Sequence, residues 1–152
     1  YNTDQGETFT IRTNSINEVF MKKIRVNHFF PTLIQEKIDF EFEIRIFYLD
    51  GSFYPSAIIV PGSDYDDVKR HFAKEEIHWV PYMLPESVMK KIKVFMNLIN
   101  LNTGSIDMMK TKSGEYVFLE INPVDQFIAP SKRCNYNIEK KIAEWIIKND
   151  KE

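Results

Sequence analysis

Cysteine is nearly missing from this chain: Cys134 stands alone in 152 residues, which excludes an internal disulfide and an all-cysteine metal site. That usage suits a reducing compartment, and the expected location is cytoplasmic. Long apolar runs are missing as well. The longest, such as Ile58-Ile59-Val60 and Phe47-Tyr48-Leu49, fall far short of the roughly 20 residues that cross a bilayer, and the amino end carries no apolar signal region, so no membrane partner is expected. Neither charge sign dominates, with 20 Lys and Arg against 22 Asp and Glu and a net charge of −2. Without a basic stretch to neutralise a phosphate backbone, nucleic acid is not an expected partner. Five glycines and seven prolines are scattered rather than gathered into a linker, and there is no repeat or low-complexity tract. Histidine occurs only at positions 28, 71 and 78, without metal-ligand spacing, and Cys134 has no histidine near it in sequence, so it reads as structural. What remains, 43% apolar and 28% charged, is the composition of a soluble globular domain. The chain opens at Tyr1 in polar sequence without an initiator Met, which is read as a fragment of a longer protein.

The patterning is α+β with antiparallel pairing dominant. From Gln35 onward Phe42, Ile44, Ile46 and Tyr48 alternate with Glu41, Glu43, Arg45 and Phe47, and Asp50-Gly51 separates this run from a second one ending at Val60. An Asp-Gly step between two such runs predicts a hairpin. Pro61 to Tyr82 is polar and aperiodic and reads as a long loop or lid. Pro85-Glu86-Ser87 predicts the start of a helix with Val88, Ile92, Phe95, Met96 and Ile99 at helical spacing, ending near Asn102 and Gly104. A second hairpin is predicted from Ser105 to Thr111 and Glu115 to Asn122, then a helix near Tyr136 to Lys148 with Ile138, Ile142, Trp145 and Ile146 on one stripe. Near the amino end, Thr8 to Thr13 and Thr32 to Gln35 read as strands around a short helix from Ser15 to Ile24.

Chemistry concentrates on the second hairpin. A two-residue turn at Ser113-Gly114 would make paired residue numbers total 227, setting Asp107 directly across from Glu120. Glu120 and Asn122 share a face by the period of two, so three oxygen-bearing side chains converge. Opposed carboxylates destabilise a sheet unless a cation or a proton intervenes, and Asp, Glu and Asn oxygens suit magnesium. The bland alternative is a solvated polar strand, and spacing alone leaves the two readings level. On the first hairpin Arg45, beside Glu41 and Glu43, could grip a phosphate oxygen. Taken by itself, a cross-strand ion pair is the commoner use of such an arginine.

Five stretches in order, Gln35-Glu36-Lys37-Ile38, the EIRIFYLDG run from Glu43, Val80-Pro81-Tyr82-Met83-Leu84-Pro85, Gly104-Ser105-Ile106-Asp107 and Leu119-Glu120-Ile121-Asn122-Pro123, resemble the carboxyl-terminal half of an ATP-grasp ligase. With the LNTGSIDMMKT run and Cys134-Asn135-Tyr136 they are most similar to the grasp-with-spasm, or microviridin-type (graspetide), peptide maturases and more distantly to the ribosomal-protein glutamate ligases. The resemblance spans about Phe30 to Trp145. It implies residues 1–40 as a remnant of the nucleotide-clamping lobe and 41–152 as the carboxyl-terminal lobe. It implies a backbone at Gln35, Glu36, Lys37 and Ile38 that reads adenine, Glu43 on the ribose, Leu119 against the base, Asp107, Glu120 and Asn122 on Mg2+, and Arg45 facing the transferred phosphate of ATP. Two departures stand out: Lys69 occupies the place of the arginine in an Asp-x-Arg pair begun by Asp67, and Ile77 that of an expected asparagine. Lysine keeps the charge but loses the two-pronged donor geometry.

The implied activity is ATP-dependent ligation through an acyl phosphate, closing an ester or amide crosslink in a ribosomally made precursor peptide with leader and core. Addition of a free amino acid to a protein and a degenerate peptide-binding module are the alternatives. Assembly is open, a homodimer included. With the phosphate-gripping lysine strands expected upstream of Tyr1, the chain alone is expected to be inactive and to bind ATP weakly.

Overall fold

The computed structural model describes residues 33–60, 77–124 and 126–150, with Ile16 and Glu18. The strand expected from Thr8 to Thr13, nearly all of the helix expected from Ser15 to Ile24, most of the expected lid and Lys69 lie outside the described residues. Among those described, five antiparallel strands form one sheet in the order β3-β2-β1-β4-β5. They are β1 (Phe40–Leu49), β2 (Ser52–Ile59), β3 (His78–Pro81), β4 (Thr103–Thr111) and β5 (Tyr116–Asn122). The helices are α1 (Glu86–Leu98), α2 (Ile128–Arg133) and α3 (Ile138–Asn149). None is long and apolar enough to cross a membrane.

The first hairpin turns at Asp50-Gly51, both in left-handed backbone (φ 44° and 84°) and with Leu49 paired to Ser52. Two consecutive positive φ values suit a type I′ turn, whose twist matches that of the strands it joins. The tip is held by Asp50, whose Oδ2 accepts from Trp145 Nε1 at 2.9 Å. Helix α1 ends where Asn100 takes the left-handed conformation (φ 55°), letting Leu101 N–H bond back to Met96 O at 3.0 Å.

Both faces of the sheet are covered. On one, Ile44, Ile46, Tyr48, Ile106 and Met108 pack against Leu84, Ile92 and Met96. On the other, Phe47, Leu49 and Ile138 form one cluster with Phe127 and Trp145, while Phe40, Ile58, Val60, Ile77, Trp79 and Cys134 form a second. Phe47, expected among polar neighbours, is therefore buried at 1% exposure. A single-faced alternation pattern missed this, because α2 and α3 arrive from 80 and more residues away to cover the second face. The expected stripe on α3 is corrected too: Ile138 is fully buried and Trp145 packs, but Ile146 is 53% exposed.

Three further expectations change. Residues 33–39 carry no strand, so the described part of the strand expected to Gln35 is not formed and the run read as strand-like from Gln35 enters the ladder only at Phe40. A bulge between Phe40 and Phe42 then turns Phe40 to the Ile58 and Trp79 cluster and Phe42 to Tyr82 on the opposite face, interrupting the alternation ahead of Glu43. The carboxyl end of the expected loop, His78–Pro81, is strand β3, paired to β2 through Trp79 opposite Ile58. It is a short edge strand closed by proline, with too few residues to show a period.

Two local arrangements make checkable predictions. Tyr82 Oη and Tyr116 Oη lie 2.6 Å apart. Burial, then the Tyr116 bond, pushes the Tyr82 phenol from 10.0 up to about 12. A raised folded value means the proton leaves the unfolded chain first, so the stabilisation is complete below pH 10.0 and is lost as pH rises toward about 12. Tyr116→Phe is expected to lower the Tyr82 midpoint in a spectrophotometric titration; an unchanged midpoint would contradict this. At the other end, Asn137 offers α3 no side-chain cap, and the buried Ser131 substitutes for it: Oγ accepts from Ile138 N–H at 2.9 Å and donates to the Glu139 carboxylate. That hydroxyl bond is the leading cause that lowers the Glu139 carboxyl below the usual range. Ser131→Ala is expected to cost about 1 kcal/mol, the worth of a lost cap, and to return Glu139 toward ordinary titration by NMR. The contribution of Glu139 is present above its unfolded value and fades as pH falls through the folded one.

Candidate active site

A transverse polar row crosses the α2 and α3 side of the sheet. Ser56 on β2 lies across from Arg45 on β1, Arg45 across from Asp107 on β4, and Asp107 across from Glu120 on β5. Facing positions of neighbouring strands project to the same side, so four side chains from four strands line up between the two apolar clusters. Arg45 Nε donates to Asp107 Oδ1 at 2.6 Å and Nη2 to Oδ2 at 2.7 Å, a two-pronged ion pair with side chains only 13% and 15% exposed. Nη1 donates to Gln126 Oε1 at 2.8 Å. Ser56 is fully buried, and its Oγ accepts from Cys134 Sγ at 3.2 Å, which gives the one cysteine a structural place.

Asp107 does face Glu120, but by a route the spacing argument did not contain. The turn has three residues, Lys112-Ser113-Gly114, closed by Thr111 N–H to Glu115 O at 2.9 Å with Gly114 at φ 93°. That loop makes paired numbers total 226, as in Met108 with Phe118; a bulge next to Asp107 then shifts the ladder so that Asp107 meets Glu120 and Ser105 meets Asn122. Leu119 is the extra residue. Phe118 and Ile121, three apart, both pack on the α1 side, Phe118 against Phe95 at 5.2 Å. Two neighbours three apart on one face leave the pair between them, Leu119 and Glu120, to share the other, the face of Asp107. Gly104 lets the end of β5 approach: a Cβ there would meet Ile121 Cδ1 at 2.9 Å.

Asn122 Nδ2 donates to Glu120 Oε1 at 3.2 Å, and Glu120 is exposed. Glu43, two residues before Arg45, shares its face and is half-buried. Gln35, Glu36 and Lys37 are exposed, Ile38 is half-buried and Leu119 is 40% exposed. Gln126 was not anticipated: it follows the last strand in an aperiodic stretch, and no spacing links it to Arg45. The bland reading of Arg45 as a cross-strand ion pair is what the geometry shows, and the cation needed between opposed carboxylates is supplied on one side by its guanidinium. Each Asp107 oxygen still has a lone pair free, and Glu120 and the Asn122 amide add oxygen donors on one accessible face. This donor set fits a hard divalent ion that keeps part of its water shell. No group of three or more His, Cys, Asp or Glu among the described residues is placed to hold a metal ion, so such a site would depend on the amide.

No family model matches the chain, and no curated protein matches it. Solved structures do. The macrocyclase MdnC of Microcystis aeruginosa MRC, bound with precursor peptide MdnA, is 31% identical with a TM-score of 0.60, the match covering 74% of this chain and 32% of the macrocyclase. The macrocyclase MdnB of the same organism is 25% identical with a TM-score of 0.60, over 75% of this chain and 40% of that one. A RiPP-associated ATP-grasp ligase of Chryseobacterium gregarium, in complex with ADP and a leader and core peptide, is 25% identical with a TM-score of 0.66, over 77% of this chain and 36% of the ligase. The chain thus spans 32% to 40% of the length of these proteins. Five antiparallel strands with flanking helices are the part they share, and the chain accordingly has the ATP-grasp fold and resembles the ATP-grasp ligases of ribosomal-peptide maturation.

Proposed function

We propose that the full-length protein is an ATP-dependent ligase that closes side-chain ester or amide crosslinks in a ribosomally made precursor peptide. The observation that carries this reading is the Arg45, Asp107, Glu120 and Asn122 cluster on one sheet face, in a fold shared with macrocyclases and a peptide-bound ligase. A carboxylate oxygen of the peptide attacks the γ-phosphorus of ATP, forming an acyl phosphate and releasing ADP. A hydroxyl or amine of the same peptide then attacks the acyl carbon, phosphate leaves, and the nucleophile's proton passes to solvent.

Chain residues contribute chiefly by position and charge. Glu43 would take the ribose hydroxyls, Leu119 the adenine face, and the backbone of Gln35, Glu36, Lys37 and Ile38 the adenine edge. Among the described residues Arg45 uses three of its five N–H donors, on Asp107 and Gln126, which leaves two that could hold phosphoryl oxygen. Lys69 would add positive charge there. Asp107, Glu120 and Asn122 would hold Mg2+, which when bound offsets charge on the nucleotide phosphates. Co-expression of the full-length protein with its candidate precursor, followed by mass spectrometry, tests the proposal: loss of one water per ring is expected.

A second reading, a degenerate module that binds peptide without ligating it, is favoured by one observation. Ile77, where the family has an amide, is 7% exposed and packed with Trp79 and Ile58 rather than offered to a ligand. Peptide binding with unchanged peptide mass would establish it, and a mass gain equal to an amino-acid residue would instead indicate glutamate-ligase-like addition.

A further inference from the structure

Beside the acidic cluster lies a hydroxyl with nothing to bond. Ser105 is 1% exposed, and its Oγ is the only buried side-chain nitrogen or oxygen among the described residues that has no hydrogen-bond partner. Leaving a buried hydroxyl unbonded is costly, so such an atom points to a partner that another state of the molecule supplies. Register narrows the choice. Ser105 is directly across from Asn122 on β5 and two residues from Asp107 on the same face.

Asn122 turns its amide nitrogen toward Glu120, as it must, because an ionised carboxylate only accepts. A cation shared by Glu120 and Asn122 reverses that demand, since an amide ligates through its oxygen. Rotation of the amide frees the Nδ2–H groups from Glu120, and the uncommitted acceptor directly across the ladder is Ser105 Oγ. We propose that Ser105 is a positioning residue for the divalent-cation site, its buried hydroxyl accepting from Asn122 Nδ2 when the amide presents oxygen to a cation shared with Glu120 and Asp107. This inference rests on the magnesium reading above and adds to it a named partner that fixes the amide's orientation. The missing Cβ of Gly104 serves the same geometry by letting the Ile121-Asn122 end of β5 sit close against β4.

Mn2+, titrated into the full-length protein with ADP and followed by electron paramagnetic resonance, is the probe. Ser105→Ala is expected to weaken Mn2+ binding about tenfold, the usual scale for groups that orient a ligand. Its melting temperature without metal is expected to be unchanged or higher, because the variant deletes an unbonded buried hydroxyl. A merely structural serine would lower melting and leave affinity alone. The Asn122 side-chain amide resonances should shift on adding Mg2+ to the wild type and shift differently in Ser105→Ala. Equal Mn2+ affinity in the two proteins overturns the role of Ser105 while the cation site stands. No Mn2+ binding by the wild type overturns the site and the inference together.

Discussion

Glu120→Gln in the full-length protein is expected to reduce magnesium-dependent turnover by about a thousandfold while leaving the fold unchanged. Glutamine has almost the shape of glutamate, and position 120 is exposed, so neither packing nor the β4 and β5 ladder depends on the charge. What would be lost is an anionic oxygen donor from the proposed cation site, which has only two carboxylates and one amide. A hard cation binds such a set only when phosphate oxygens and water complete its shell, and replacing one carboxylate by a neutral amide removes half of the fixed negative charge. The double effect, circular dichroism and melting unchanged with turnover lowered by about a thousandfold, is the signature to measure. Wild-type rates would refute the assigned role, and a large fall in melting temperature would show that Glu120 is a structural residue.

Arg45→Met is expected to have the larger effect on stability. It leaves the Asp107 carboxylate, 15% exposed, without the two donors that hold it. Exposed pairs are worth at most about 1 kcal/mol, whereas stripping one partner from a buried pair costs about 3–5 kcal/mol. With this pair mostly but not wholly buried, a loss of about 2 kcal/mol in chemical denaturation is expected, together with loss of activity. The informative comparison adds Asp107→Leu. Replacing both charges by apolar groups of similar size removes the orphaned carboxylate, so the double variant should regain most of the lost stability. On the proposed reading activity should not return, because Asp107 would be a cation ligand and Arg45 a phosphate-facing donor. Return of activity along with stability would mean that the pair serves only the fold.

Helices α1 and α3 and the two hairpins were legible because their signals are local, whereas the six-residue α2 was not anticipated. Asp50-Gly51 demands left-handed backbone, Pro85 opens α1, and the spacing of Ile92 and Met96 names its buried side. The pairing of Asp107 with Glu120 was also anticipated, yet through two errors that cancel: the turn has one residue more than expected, and the bulge at Leu119 shifts the register by one in compensation. A bulge has no reliable mark in a single sequence, since it is settled by which of two faces each side chain can fill. The same holds for the start of β1, where a bulge sends Phe40 and Phe42 to opposite sides.

By itself the sequence determined the residue types available for chemistry, the two hairpins, the amphipathic helices and the order of motifs, because each depends on spacing within a few turns or a few strand residues. Tertiary structure decided which cation meets which carboxylate. Arg45 and Asp107 are 62 residues apart, and their bond exists because β1 and β4 are sheet neighbours in a particular register. Gln126, 81 residues from Arg45, meets it only because the chain after β5 returns to β1, and the unbonded hydroxyl of Ser105 is likewise a product of packing. Such contacts answer to how whole elements pack, and no local period encodes them.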